Sequence, residues 1–215
     1  MSSYQNACNK ELDWIRTIHT LLARNGLQYR ISDGSSDVCN ALLGKTKDIF
    51  HQEAFAQVAD PKSKLRTYGL IKENIGREDY LDQIRNTKHR QMLTKLRLSN
   101  HKLMIEKGRH LKLEPNERIC PVCQQGVEDE IHFLVQCNQY QNHRNPLLDI
   151  CLKTRPQFEF YTDEHKFVFM MTTPSLMGNV SKFVYTAMNE RDTYLDVRET
   201  LDKLMDQVSK SMLQS

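Results

Sequence analysis

A chain of 215 residues with 39% hydrophobic and 27% charged side chains, only 8 Gly and 6 Pro, can bury a real core, which excludes collagen-like, linker-like and wholly disordered chains. Its mean hydropathy is -0.62, and no run approaches the ~18 apolar residues of a membrane span. With neither a basic start nor an apolar stretch in residues 1–6, the reading is an intracellular protein, of cytoplasm or nucleus, that engages no membrane. The net charge of +3 is unevenly spread: residues 1–123 hold 21 Lys/Arg against 14 Asp/Glu, and residues 124–215 hold 9 against 13.

Helix-period signals dominate the chain. Leu12, Ile15, Ile18, Leu21 and Leu22 recur at three- and four-residue steps beside Trp14, with Asn9 as N-cap and Gly26 as stop. Asp33-Gly34-Ser35-Ser36 reads as a turn. Val38, Leu42, Ile49, Phe50, Phe55 and Val58 predict one or two helices, interrupted at Gly44 and closed by Asp60-Pro61. Short amphipathic helices follow around Leu65–Ile71 and Asp79–Ile84. Thr87 is the expected cap of a helix with Met92, Leu93 and Leu96 on one face, and Asn100 that of a one- or two-turn helix ending at Gly108.

Residues 109–119 read as an irregular approach to Cys120. Leu147, Leu148, Ile150 and Cys151 predict a helix ending before Pro156. Phe158/Phe160 and Phe167/Phe169 alternate like hairpin arms, but the acidic start Thr162-Asp163-Glu164 favours a helix. Pro174 then opens a longer helix through Met188, and Leu195, Leu201, Leu204, Met205 and Val208 mark an amphipathic last segment. The expected fold is mainly α, a helical bundle-like domain with an embedded CCHC zinc knuckle. It is divided into a helical segment (1–84), a basic helical segment plus knuckle (85–145) and C-terminal helices (146–215).

Two features carry chemistry. From Arg85 to Lys112 there are nine basic residues and one acid, Glu106. Such a stretch is either a polyanion footprint or the solvated face of ordinary helices. Six cysteines in a non-secreted chain point to metal or buried thiols before disulfides. Cys8 and Cys39 stand apart, whereas Cys120, Cys123, His132 and Cys137 read C-x2-C-x8-H-x4-C within 18 residues.

Two residues between thiols form a turn that aims both sulfurs at one ion, and Gly126 is expected to let the chain reverse behind it. A His and a Cys five positions apart are expected on nearly the same side of a helix. Three thiolates and one imidazole make the closed tetrahedral set of structural Zn²⁺, with no vacant position for catalysis. His143 and Cys151 are competing ligands outside the set. Glu128-Asp129-Glu130 are either acceptors for the imidazole N–H or the acidic first turn of the His132 helix.

At these residues a family resemblance enters. The block Lys95-Leu-Arg97-Leu-Ser99-Asn-His101-Lys-Leu103-Met-Ile105-Glu106-Lys-Gly108-Arg109, then Glu117-Arg118-Ile-Cys120, the CCHC set, Tyr140 and Arg144 resembles the region after the polymerase in non-LTR (LINE-type) retrotransposon proteins. Lys64–Tyr68, Lys72, Tyr80-Leu81 and the helix at Lys182–Tyr185 extend the likeness more thinly. The resemblance implies zinc on Cys120, Cys123, His132 and Cys137. It implies RNA or single-stranded DNA as ligand, with Lys95, Arg97, His101, Arg109 and Arg118 as contacts, and a reverse transcriptase polypeptide as a further partner. Lys88, Arg90 and Lys102 join that footprint through the basic stretch itself. Glu106 and Arg109 are equally an i,i+3 pair that fixes a helix exit.

A reverse transcriptase needs paired aspartates for two metals, and the chain contains no Asp-Asp pair. Asp149 with Glu164-His165-Lys166 matches the letters of a metal-dependent nuclease, but Glu164 reads as a helix start. The expectation is therefore a non-catalytic, zinc-dependent binder of RNA or single-stranded DNA. The rival readings are a zinc-stapled scaffold for acidic protein surfaces and a retroelement relic without selected function.

Overall fold

The computed structural model describes residues 15–27, 37–60, 63–72 and 76–212, which fall into two units, 1–60 and 61–215. Asn9, Leu12, Trp14, the 33–36 turn and Pro61 lie outside the described residues. The described residues are mainly helical, and their β structure is one isolated bridge, Ile119 with Val127.

In the first unit α1 (15–24) ends at Gly26, as its sequence predicts. Gly26 has φ +63°, which an L side chain adopts only with strain, and there the chain turns back so that the Leu27 N–H donates to Leu22 O at 2.8 Å. Leu22 and Leu27 are buried beside this turn. Helix α2 (Asp37–Ala59) runs unbroken through Gly44. One glycine costs roughly 1 kcal/mol against alanine, and the Ala, Leu, Lys and Gln around it favour helix strongly enough to carry it.

The second unit is built on its last helix. After α3 (Arg66–Ile71) and α4 (Tyr80–Gln83), α5 (Thr87–Arg97) buries Leu93 and Leu96 and lies against α9 (Met177–Met212). Its cap is Asn86, one residue before the expected Thr87: the Asn86 side chain accepts from the Lys88 and His89 N–H groups. Helix α6 (Met104–His110) starts four residues beyond Asn100, because Glu128, from the distant cysteine segment, accepts from the Met104 N–H at 2.7 Å.

Helices α7 (Gln141–Thr154) and α8 (Asp163–Thr172) pack on the first half of α9. Thr162 caps α8 by accepting from the His165 N–H, and Glu164 sits in its first turn, so the aromatic alternation there is helical. The two expected C-terminal helices are one helix of 36 residues, led in by a 3-10 turn at Pro174–Leu176.

The core is a layer of Leu93, Leu96, Leu103, Phe133, Leu134, Phe167, Met170, Met171, Val180, Phe183, Val184 and Ala187. Burying each larger member contributes about 1.5–3 kcal/mol. Because α5, the cysteine segment and α7–α9 share this core, the sequence boundaries at 84/85 and 145/146 do not separate domains; the division falls at 60/61. Asp149 on α7 and Glu164 on α8 lie in helices, not on the adjacent strands that a nuclease centre of that kind uses.

Candidate metal centre

Cys120, Cys123, His132 and Cys137 converge: one ligand atom from each lies within 4.8 Å of the others. The group forms in two halves. In the first, the Ile119–Val127 bridge brings the chain back on itself, with the Cys120 N–H donating to Gly126 O at 2.8 Å and the Glu128 N–H to Arg118 O at 2.9 Å. Between them the reversal is made at Gln124, which has φ +57°, while its N–H donates to Cys120 O at 2.9 Å. The left-handed residue is thus Gln124, not Gly126. The hydrogen of Gly126 faces the imidazole, and a Cβ there would lie 3.7 Å from His132 Nδ1, an ordinary contact.

The second half depends on helix geometry. In an α-helix of 3.6 residues per turn, positions five apart point about 140° away from each other. His132 and Cys137 would then diverge, contrary to the sequence expectation. Residues His132–Gln136 form a π-turn instead, in which the Cys137 N–H donates to His132 O at 2.7 Å, and an i→i+5 ring brings the two side chains to one side.

The turn strands carbonyl groups, and Arg144 gathers them. From α7 its fully buried guanidinium donates to Leu134 O (2.8 Å), Cys137 O (2.7 Å) and Phe133 O (3.3 Å). Asp129 caps the other end by accepting from the His132 N–H at 2.7 Å.

The four donors act on one another's protonation. A hydrogen bond with Cys137, assisted by burial, pushes the Cys120 thiol up to about 12, and the same bond draws Cys137 below the ordinary thiol range. Burial raises Cys123, whose sulfur lies 3.2 Å from His132 Nε2. Three sulfurs and an imidazole nitrogen crowded to this degree fit a soft or borderline cation that prefers four-coordinate thiolate and imidazole ligands. His143 lies elsewhere, paired with Glu190 at 2.6 Å, and Cys151 is buried in the α7 core.

The acidic triplet holds the centre to the helices. Glu128, fully buried, accepts from Arg191 Nε and Nη2 at 2.7 Å each, and its Oε1 lies 3.7 Å from Cys120 Sγ. Glu130 accepts from Ser99 Oγ (2.7 Å), His101 Nε2 (2.9 Å) and Arg66 Nη2 (2.8 Å), and Arg66 reaches Glu106 with its other arm. Burial alone would raise the Glu130 pKa, but His101, Arg66 and Ser99 together hold it below the ordinary carboxylate range. The triplet therefore consists of one cap and two buried anchors; none of its hydrogen bonds goes to the imidazole among the described contacts.

This network absorbs part of the expected nucleic-acid footprint. Arg97 is 3% exposed, donating to Glu78 (2.9 Å) and Met171 O with its guanidinium over the Tyr80 ring. The His101 side chain is enclosed against Glu130, and Arg118 spends its guanidinium on Leu113 O and Ile105 O. Arg97 and the His101 side chain would have to leave buried positions to reach a phosphate, and the half-buried Arg118 would have to give up three hydrogen bonds. Arg90 is half-buried and bonded to Ile84 O. Arg109 makes the i,i+3 contact with Glu106 at 3.6 Å, and Lys102 a surface pair with Asp192 at 3.1 Å. Lys88 and Lys95 stay exposed and, among the described residues, without an ion pair, as do Lys107 and Lys112.

Sequence reasoning missed Arg191. A signal was present: it continues the buried α9 stripe Val180, Val184, Ala187 at the next helical step, and an arginine in such a register implies a buried anion opposite.

Gly108 explains one more letter of the pattern. A Cβ on it would fall 2.5 Å from Cγ and 2.8 Å from Cδ of Arg118, whose guanidinium is pinned by three hydrogen bonds. Gly108→Ala is expected to expel Arg118 and destabilise the unit by about 2–3 kcal/mol, the scale of overpacking plus lost buried hydrogen bonds. Urea denaturation measures it; a midpoint equal to wild type would show that Arg118 can move freely.

Comparison with protein-family models, curated proteins and solved structures finds no match for this chain. Among the described residues no helix is long and apolar enough to cross a membrane.

Proposed function

We propose that the second unit is a helical domain stapled by a structural Zn²⁺ on Cys120, Cys123, His132 and Cys137, and that it binds RNA or single-stranded DNA without catalysing a reaction on it. Four protein donors complete a tetrahedral shell, so the metal's work is structural. The observation that carries the binding reading is the exposed positive charge along α5, on α6 and just after it. Lys88 and Lys95 lie two turns apart on α5, and Lys107 and Lys112 follow on and after α6, all exposed and unpaired among the described residues.

Exposed lysines that form no close ion pair suit a polyanion. Phosphate contacts of this type are sequence-independent and weaken steeply with salt. The likeness to retrotransposon reverse transcriptase tails points the same way, with a reverse transcriptase polypeptide as partner. The letters carrying that likeness nevertheless make internal contacts here: Ser99, His101, Arg118 and Arg144 tie the cysteine segment to the helices, Gly108 makes room for Arg118, Arg97 binds Glu78 and Met171 O, and Glu106 pairs with Arg66.

Lys88→Ala combined with Lys95→Ala is expected to weaken binding of a single-stranded RNA oligonucleotide about 5- to 20-fold at 50 mM salt. It should flatten the dependence of log K on log salt by roughly 1.4, since each single-strand phosphate contact contributes about 0.7. Zinc content should stay at one per chain. A titration at two salt concentrations measures all of this. Unchanged affinity and slope would remove α5 from the interface and favour the scaffold reading, in which the same lysines meet acidic protein surfaces.

A further inference from the structure

A cleft of about 430 Å³ opens between the cysteine turn and α9, lined among others by Val122, Gln139, Tyr140, Glu190, Arg191 and Tyr194. Val122 stands between the two ligand cysteines, and Arg198 ties this turn to α9 by donating to Pro121 O at 3.0 Å. The cleft is therefore a product of the metal segment and the long helix together.

Its lining is chemically mixed in a specific way. Tyr140 is 1% exposed, yet its hydroxyl has no hydrogen-bond partner among the described residues, and a buried tyrosine O–H ordinarily finds one. Tyr194, one turn beyond Glu190 and Arg191, is 43% exposed and presents an aromatic surface with no ring partner among the described residues. Val122 supplies an apolar wall. The Glu190 carboxylate lies 2.6 Å from His143 Nε2 and has lone pairs to spare for a ligand. Arg191, although it lines the cleft, is committed to Glu128.

From this constellation we infer that the cleft receives one unstacked base of a single-stranded nucleic acid, stacked on Tyr194 and read by Glu190 through an exocyclic amino group. The inference deepens the nucleic-acid reading above and rests on it. A flat ring satisfies the tyrosine and valine surfaces, while a polar base edge suits the orphan hydroxyl and the Gln139 amide. Glu190 decides what enters. A carboxylate repels a phosphate, so the base enters and the backbone stays outside. It accepts from the amino group of cytosine and is opposed by the carbonyl oxygen that uracil carries at the same position.

The test is an anisotropy titration of three twelve-nucleotide strands at pH 8 and 50 mM salt: oligo(C), oligo(U) and an abasic strand with the same phosphates. The intact chain is expected to bind oligo(C) about tenfold more tightly than oligo(U), and the abasic strand most weakly. Tyr194→Ala should lower oligo(C) affinity about tenfold, the scale of one stacking contact, and leave the abasic strand unchanged. Glu190→Gln should abolish the preference for C over U while retaining oligo(C) binding. Both side chains lie at the surface, so the variants should keep the wild-type circular dichroism and zinc content. Equal affinity for all three strands, still weakened by the Lys88/Lys95 double substitution, overturns the base pocket and leaves the phosphate reading intact. Absence of binding to any strand overturns both.

Discussion

Cys123→Ser is expected to release the metal and to unfold residues 115–150, while α8 and the first half of α9 lose stability without losing all helix. Of the four donors Cys123 is the half-buried one, so replacing its sulfur by oxygen removes little packing. What is lost is the ion. A structural zinc site contributes on the order of 10 kcal/mol of apparent folding free energy, against the roughly 5–15 kcal/mol net stability of a whole domain.

The stretch before Phe133 places few side chains in the core. Between Cys120 and Ile131 the chain has a single isolated bridge and no helix longer than a turn, and it is otherwise held by polar ties, chiefly Glu128 to Arg191, Glu130 to Arg66 and Arg198 to Pro121 O. Zinc analysis of the purified variant should fall from one per chain toward zero. Amide exchange should show protection lost across 115–150, and wild-type protein treated with a chelator should reproduce both. Full protection in the serine variant would mean that the four side chains converge for reasons unrelated to metal.

The second large effect is expected at Arg191. Arg191→Met leaves the Glu128 carboxylate buried with its charge uncompensated, next to the Cys120 sulfur. Breaking a buried pair from one side costs about 3–5 kcal/mol, whereas replacing both partners by apolar groups of similar size is often neutral. In a unit of this size each kcal/mol moves the midpoint about 2–4 °C, so the single variant should melt roughly 10 °C lower.

Arg191→Met with Glu128→Met should recover much of that loss. It should not recover all of it, because Glu128 also accepts the Met104 N–H that starts α6. A double-mutant cycle by thermal denaturation separates the pair from the cap. If the single substitution proves silent, Glu128 is satisfied by Met104 and the thiol alone and the bridge to α9 is dispensable.

Much of the centre was legible because its spacing is local. The four converging side chains and the stop of α1 at Gly26 follow from residues near one another in the chain, whereas the reversal expected at Gly126 is made at Gln124. The reason for His132 and Cys137 sharing a side was misjudged, since an α-helix would have separated them. The π-turn that aligns them is held by Arg144, seven residues farther on and on another helix. The start of α6 and the division of the chain were misplaced for a similar reason. Glu128 caps α6 from 24 residues away, and the shared core on α9 erases boundaries that charge and composition suggest.

The amino-acid order by itself determined that the chain is mainly helical and which four side chains can close around one cation, because helical period and ligand spacing are short-range properties. Which charges stay free was decided only by the tertiary structure. Lys95 and Arg97 are two positions apart and look equivalent as letters, yet on α5 one faces solvent and the other points into the unit toward Glu78 and Met171. Burying a guanidinium is tolerable only where an anion and a carbonyl already wait for it. Those partners come from distant parts of the chain, so the basic stretch divides into anchors and free lysines only once the helices have assembled.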